Sequence, residues 1–128
     1  MPLYQLRLSG VKPRSQPRPK VSRWGGVYFS KSFTKWREET KVAIQTHFDY
    51  PVEETPRADT PVKVELRFYG ARKDADADNM TKPILDILQE VDGYFHDDRQ
   101  VSELHIYKNT EKTKIPMIEI TVSWEDQE

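Results

Sequence analysis

Apolar and polar positions alternate with a period of two in several stretches of the chain. Tyr4, Leu6 and Leu8 alternate with Gln5, Arg7 and Ser9, the pattern of a half-buried strand. Val62, Val64, Leu66 and Phe68 do the same against Lys63, Glu65 and Arg67, which predicts a strand over 62–69, ended by Gly70. Two further strands are expected at about 101–108, with Leu104 and Ile106, and at 117–124, with Ile118, Ile120, Val122 and Trp124. Val27-Tyr28-Phe29 has the composition of a short strand. Elsewhere the spacing is helical. Phe33, Trp36, Thr40, Ala43, Ile44 and His47 recur at steps of three and four, predicting a helix over 32–48 with Ser30 or Ser32 as its N-cap. Met80, Ile84, Leu85 and Leu88 mark a second helix over 79–91, closed by Asp92-Gly93. Pro83 is awkward there, because proline is tolerated only in a helix's first turn. The helix proper is therefore expected to start near Thr81, with Asp78 or Thr81 as cap.

The segments between these elements read as connections. Residues 10–26 carry Pro13, Pro17 and Pro19 together with Lys12, Arg14, Arg18, Lys20 and Arg23, so an extended basic loop is expected, one that orders on contact with an anion. Residues 49–61 hold Pro51, Pro56 and Pro61 and form a second connection. The order β-α-β-α-β-β predicts an α/β (mixed α+β) fold: one domain over 1–128, with a small mixed sheet and two helices packed on it.

Composition narrows the class. The 128 residues suit a single core. No run of 18 apolar residues exists to cross a membrane, and the N-terminus lacks a secretory pattern, so a cytoplasmic protein without a membrane partner is expected. With no cysteine, disulfides, thiolate zinc sites and cysteine nucleophiles are excluded. Net charge is −1, but it is unevenly spread. Residues 1–42 hold ten Lys/Arg against Glu38 and Glu39, a balance of +8, and residues 43–128 carry −9. This suggests a polyanion-facing surface beside something that needs carboxylates; a dipolar surface without a ligand is the plainer alternative.

The carboxylates fall in two clusters at loop positions, Asp74, Asp76 and Asp78 and then Asp97-Asp98. Residues two apart in extended chain point the same way, so Asp76 and Asp78 can present carboxylates to one point. Such like charges call for a hard divalent cation with oxygen ligands, although a single Asp-x-Asp more often just caps a helix or decorates a turn. An EF-hand calcium loop starting at Asp74 fails, because its sixth position is Asn79 and its twelfth Leu85, where glycine and glutamate are required.

The full string runs Asp76-Ala77-Asp78-Asn79-Met80-Thr81-Lys82-Pro83-Ile84-Leu85-Asp86, then Asp97-Asp98-Arg99-Gln100-Val101. It resembles the RusA family of Holliday junction resolvases, whose pattern is Asp-x-Asp-Asn-hydrophobic-x-Lys, a helix with a further Asp, and Asp-Asp-x-Gln-hydrophobic. Pro17-Arg18-Pro19-Lys20, Val27-Tyr28 and Lys108 extend the likeness over nearly the whole chain, with 74–108 the strongest part. The resemblance implies a magnesium-dependent endodeoxyribonuclease, with Mn²⁺ a candidate substitute, acting as a homodimer on four-way DNA junctions in the cytoplasm of a bacterium or a phage-infected host. It places Asp76, Asp78 and Asp98 at the metal-binding, catalytic positions and Lys82 at a functionally important lysine, with Asp97, Asp86 and Lys108 at supporting positions. Asp74 has no counterpart in the minimal pattern, and the spacing to the second motif varies around Asp92-Gly93.

The chemistry is compatible. Three carboxylates can hold one or two Mg²⁺ ions that activate water and stabilise charge at phosphorus, and Lys82, a turn beyond Asp78, can add a point charge at the phosphate. Without the motif, Lys82 reads equally well as an exposed helix lysine. Lys12, Arg14, Arg18, Lys20 and Arg23 can track a phosphate backbone. Trp24, Tyr28 and Phe29 have two readings, stacking on bases at an opened junction or packing in the core, the second being commoner. His96 beside Asp97 is read as structural, since oxygen-only sites suit magnesium; His47 and His105 suggest nothing. Two rival functions remain: a nuclease of this fold preferring flaps, forks or other branched DNA, and a non-catalytic DNA-binding module whose aspartates are turn residues.

Overall fold

The alternation becomes a four-stranded sheet. A computed structural model describes residues 3–18, 20–46, 56–91, 95 and 97–125. Strands β1 (Leu3–Ser9), β4 (Val62–Tyr69), β5 (Val101–Asn109) and β6 (Met117–Trp124) pair in the order β1-β6-β4-β5. β6 is antiparallel to both its neighbours, whereas β4 and β5 are parallel. A parallel pair needs a crossover connection, and helix α2 (Ala77–Glu90) supplies it. Helix α1 (Lys31–Thr46) precedes β4, and a two-stranded hairpin of β2 (Lys20–Val21) and β3 (Val27–Tyr28) stands outside the sheet. The expected mixed α+β architecture with two helices is therefore the observed one.

One face of the sheet is apolar. Leu6, Val64, Leu66, Ile120 and Val122 are buried there against Ile44 of α1 and Ile84, Ile87 and Leu88 of α2. Fully burying a side chain of this size is worth about 1.5–3 kcal/mol, so these rows bind the helices to the sheet. The opposite face carries solvated pairs, Arg7 with Glu119 at 3.3 Å and Lys63 with Glu103 at 3.6 Å. Gly70 closes β4 with φ +77°, and a Cβ there would lie 2.9 Å from Thr113 Cγ2; both the conformation and the space require glycine.

Two features differ from the sequence expectation. Helix α2 starts at Ala77, not near Thr81, because Asp76 is its N-cap and accepts the Asp78 backbone N–H at 2.9 Å. Pro83 thus lies well inside the helix, where it removes the donor that Asn79 O would have received. That carbonyl is filled instead by the Gln16 backbone N–H at 2.8 Å, which is how the proline is accommodated. Secondly, residues 11–18 form the expected loop without helix or strand, but the segment is fastened to the rest of the chain and includes a hairpin. Trp36 Nε1 donates to Lys12 O at 2.8 Å, Arg14 bonds Ser32 Oγ at 2.9 Å, and 20–28 fold back as the β2–β3 hairpin. Ser30 caps α1 as expected, its Oγ accepting Phe33 N–H at 3.3 Å; His47, Phe48, the start of the 49–61 connection, Asp92-Gly93, Pro19 and His96 lie outside the described residues. Among those that are described, no helix is long and apolar enough to cross a membrane.

Candidate active site and nucleic-acid interface

The Asp-x-Asp motif sits where β4 hands over to α2. Asp76 and Asp78 are both exposed at the first turn of the helix. One oxygen of Asp76 is engaged by the Asp78 N–H. The helix dipole places positive potential at this end, which favours anionic side chains there. The turn leading into the motif is held from the sheet. Lys108 of β5 donates through Nζ to Lys73 O at 3.0 Å and to Ala75 O at 2.5 Å. Lys108 therefore fixes the backbone immediately before Asp76, a role that no local pattern around residue 108 announces. Asp74 pairs with Arg72 at 3.1 Å on the outside of the same turn.

Beside this turn lies a cleft of about 410 Å³ lined by Lys12, Arg14, Trp36, Arg72, Asp74 and Ala75 among others. Its walls come from the basic N-terminal segment and from the aspartate-bearing turn, so the charge asymmetry along the chain becomes a juxtaposition in space. The five basic residues are not equivalent, however. Lys12, Arg18, Lys20 and Arg23 are exposed, whereas Arg14 is half-buried, bonded to Ser32 and stacked 5.6 Å from the Phe33 ring centroid. Lys82 is exposed on α2, one turn beyond Asp78.

The second motif stands on the short turn that leads into β5. Asp97 caps a 3₁₀ turn over Asp98–Gln100, accepting Arg99 N–H at 2.9 Å and pairing with the Arg99 guanidinium at 3.0 Å. Arg99 holds the Asp97 carboxyl far below the usual carboxylate range. Gln100, which the resemblance included only as a pattern position, is buried and ties this turn to the preceding connection: its Nε2 donates to Arg57 O at 2.8 Å and Thr60 O at 3.0 Å, and its Oε1 accepts Asp97 N–H at 3.1 Å. Asp98 is exposed and neighbours half-buried Asp86 electrostatically. Burial pushes the Asp86 carboxyl up, Lys82 and Arg37 oppose the rise, and Asp98 adds to it. Arg37 of α1 in turn pairs with Glu90, which Lys41 also contacts at 3.3 Å.

Asp76 and Asp78 thus stand together on the first turn of α2, and Asp98 and Asp86 interact electrostatically. Among the described residues, no three Asp, Glu or His side chains come together to hold a metal ion. The aromatic candidates divide. Phe29 is half-buried, 5.2 Å from the Phe33 ring, whereas Trp24 and Tyr28 are exposed. His105 is exposed on the β5 edge, 3.7 Å from Glu103.

Comparison with known proteins bears on this arrangement. The family model described as "Endodeoxyribonuclease RusA" matches residues 10–123, which takes in the basic segment, the cleft, both acidic motifs and Lys108. No curated protein matches the chain significantly.

Proposed function

The chain belongs to the RusA endodeoxyribonuclease family, and from that premise we propose that it is a Mg²⁺-dependent, structure-selective endonuclease that cuts four-way DNA junctions symmetrically as a C₂ homodimer. One observation carries the reading: two exposed carboxylates, Asp76 and Asp78, stand on a helix N-terminus next to a cleft lined by Lys12, Arg14 and Arg72. A phosphate backbone held in that cleft brings a phosphodiester to the carboxylates. A two-fold junction needs paired cuts, and a two-fold dimer provides them.

The donor set suits magnesium in part. Mg²⁺ is commonly held by one or two carboxylates plus substrate phosphate, keeping several waters, and Asp76 and Asp78 offer that oxygen-only pair. A third carboxylate, Asp98, completes the set in the family pattern, and the proposed dimer can supply it from the same chain or from the second one. When bound, the ion supplies Lewis-acid activation of the phosphodiester and of water. The remaining work falls to the protein. Lys82 faces negative charge growing at phosphorus as a compact ammonium, Lys108 keeps the aspartate turn in place, and Lys12, Arg18, Lys20 and Arg23 carry the backbone contacts.

The test is cleavage of a synthetic immobile four-way junction, run beside linear duplex and flap substrates with and without Mg²⁺. Paired symmetric incision of the junction, only with the metal, is expected. Preference for the flap would make this a branched-DNA nuclease of another specificity. Metal-independent binding without incision of any substrate would make it a binding module.

A further inference from the structure

The β2–β3 hairpin belongs neither to the four-stranded sheet nor to the aspartate turn. Its register pairs Lys20 with Tyr28 and Val21 with Val27, and its tip is closed from within. Ser22 N–H donates to Gly26 O at 2.6 Å, Gly25 N–H to Ser22 O at 3.0 Å, and Gly26 N–H to Ser22 Oγ at 2.9 Å. Gly25 takes φ +86°, a conformation that favours glycine. Trp24 therefore stands on a turn held by hydrogen bonds of its own, centred on Ser22. Its side chain is 89% exposed, with Val21, Val27 and Tyr28 also exposed around it. Aromatic side chains are large apolar surfaces that folding ordinarily hides, so an ordered turn that holds one in water presents a surface for a ligand.

The surroundings say which kind. Arg23 lies 5.9 Å from the Trp24 ring centroid, Arg18 and Lys20 are exposed in the same segment of the sequence, and no acidic residue occurs before Glu38. A run of cations with no acidic residue among them in the sequence selects a polyanion. Within a polyanion a π face has use only where another π face is free, and an intact duplex keeps its base faces stacked on one another. An aromatic tip set among cations is the stacking platform by which proteins hold unstacked bases.

The geometry points to the β2–β3 hairpin as a wedge for the branch point of DNA: Trp24 stacks on a base unstacked at the crossover, and Arg18, Lys20 and Arg23 hold the flanking phosphates. This rests on the branched-DNA reading above and adds to it the residue that recognises the branch.

Binding of an immobile junction carrying 2-aminopurine next to the branch-point base, as the neighbour from which that base is unstacked, is measured in Ca²⁺, an ion chosen to prevent incision, beside a linear duplex of the same sequence. The wild-type chain should bind the junction more tightly than the duplex and raise the probe's fluorescence, as unstacking does. Trp24→Ala should weaken junction binding about tenfold, leave duplex binding unchanged and abolish the fluorescence rise. Trp24→Phe, which keeps a π face, should restore most of both. Circular dichroism checks that each variant is folded. A Trp24→Ala chain with the wild-type junction-to-duplex ratio and the full fluorescence rise overturns the wedge while leaving the branched-DNA reading standing. A wild-type chain with no preference for the junction overturns both. A Trp24-dependent dimer that dissociates on dilution without DNA overturns the wedge in favour of a second copy of the chain as the hairpin's occupant.

Discussion

The Gln16 backbone N–H donates at 2.8 Å to the Asn79 carbonyl, the acceptor that Pro83 leaves without its helical donor four residues on. A proline that would otherwise cost helix α2 about 3 kcal/mol thereby becomes the fastening for the basic segment. Asn79 directly follows Asp78, so the same bond sets the phosphate-contacting residues beside the carboxylates. Trp36 Nε1 on Lys12 O is a second fastening. The basic segment and the aspartate turn are consequently one unit, and the predictions below separate their contributions.

Asp76→Asn and Asp78→Asn should each abolish incision while leaving junction affinity within about twofold. Asparagine caps a helix about as well as aspartate, so the Asn variants should keep their thermal stability, whereas Asp76→Ala should lose about 1 kcal/mol along with the cap. The double Asn variant should be little worse than either single one, because groups acting as a unit are not additive. Junction cleavage and thermal melts measure both; incision by Asp76→Asn near the wild-type rate would take Asp76 out of the site.

Mixing two inactive proteins tests where Asp98 acts. If each site draws Asp76 and Asp78 from one chain and Asp98 from the other, a heterodimer of Asp76→Asn with Asp98→Asn carries both lesions in one site and none in the other. The mixture should then nick one strand of the junction, although each variant alone is inert. No nicking after verified subunit exchange would mean that the three carboxylates act within one chain.

Lys82→Ala should reduce the single-turnover rate about 10²- to 10³-fold with little change in binding, the effect of losing one donor worth roughly 2.7–4 kcal/mol from a preorganised site. Lys82→Arg should recover only part of it, since a planar fork does not replace a compact ammonium. A normal rate with weakened binding would reduce Lys82 to a phosphate contact.

Lys108→Met keeps the apolar stem and removes the ammonium from the carbonyls of Lys73 and Ala75. Hydrogen bonds to charged groups are worth about 1.5–3 kcal/mol each, and half-exposure here places the loss at the lower end. The expected result is a folded protein, slightly less stable, whose turnover falls about tenfold and whose amides at 73–76 exchange faster. Unchanged exchange there would show that the turn holds itself.

Replacing Lys12, Arg18, Lys20 or Arg23 by Ala should flatten the slope of log affinity against log salt by about 0.9 for each phosphate no longer neutralised, with no change in melting temperature. Arg14→Ala should differ: its guanidinium is bonded to Ser32 and lies over Phe33, so the melting temperature should fall as well. Salt-series isotherms in Ca²⁺ with parallel melts decide each case, and an unaltered slope in all five would place the DNA elsewhere.

Much of this was legible along the chain. The alternation at 62–68 and 117–124 gave both central strands, and the spacing of Phe33, Thr40 and Ile44 gave α1, since periodicity records which side of an element faces the core. The Asp76–Asp78 and Asp97–Asp98 strings and the basic block 12–23 were equally plain, because charge and spacing are local properties. What the chain did not display were relations between residues far apart in it. The start of α2 was misplaced because the donor that excuses Pro83 is 67 positions upstream at Gln16. Nothing near Lys108 marks it as the clamp on Ala75, for that contact exists only once β5 lies parallel to β4. Trp24 could have been core or surface, and the Ser22–Gly26 turn decided it by holding the ring in water. Local pattern determines which face an element buries; sheet order determines which residues meet.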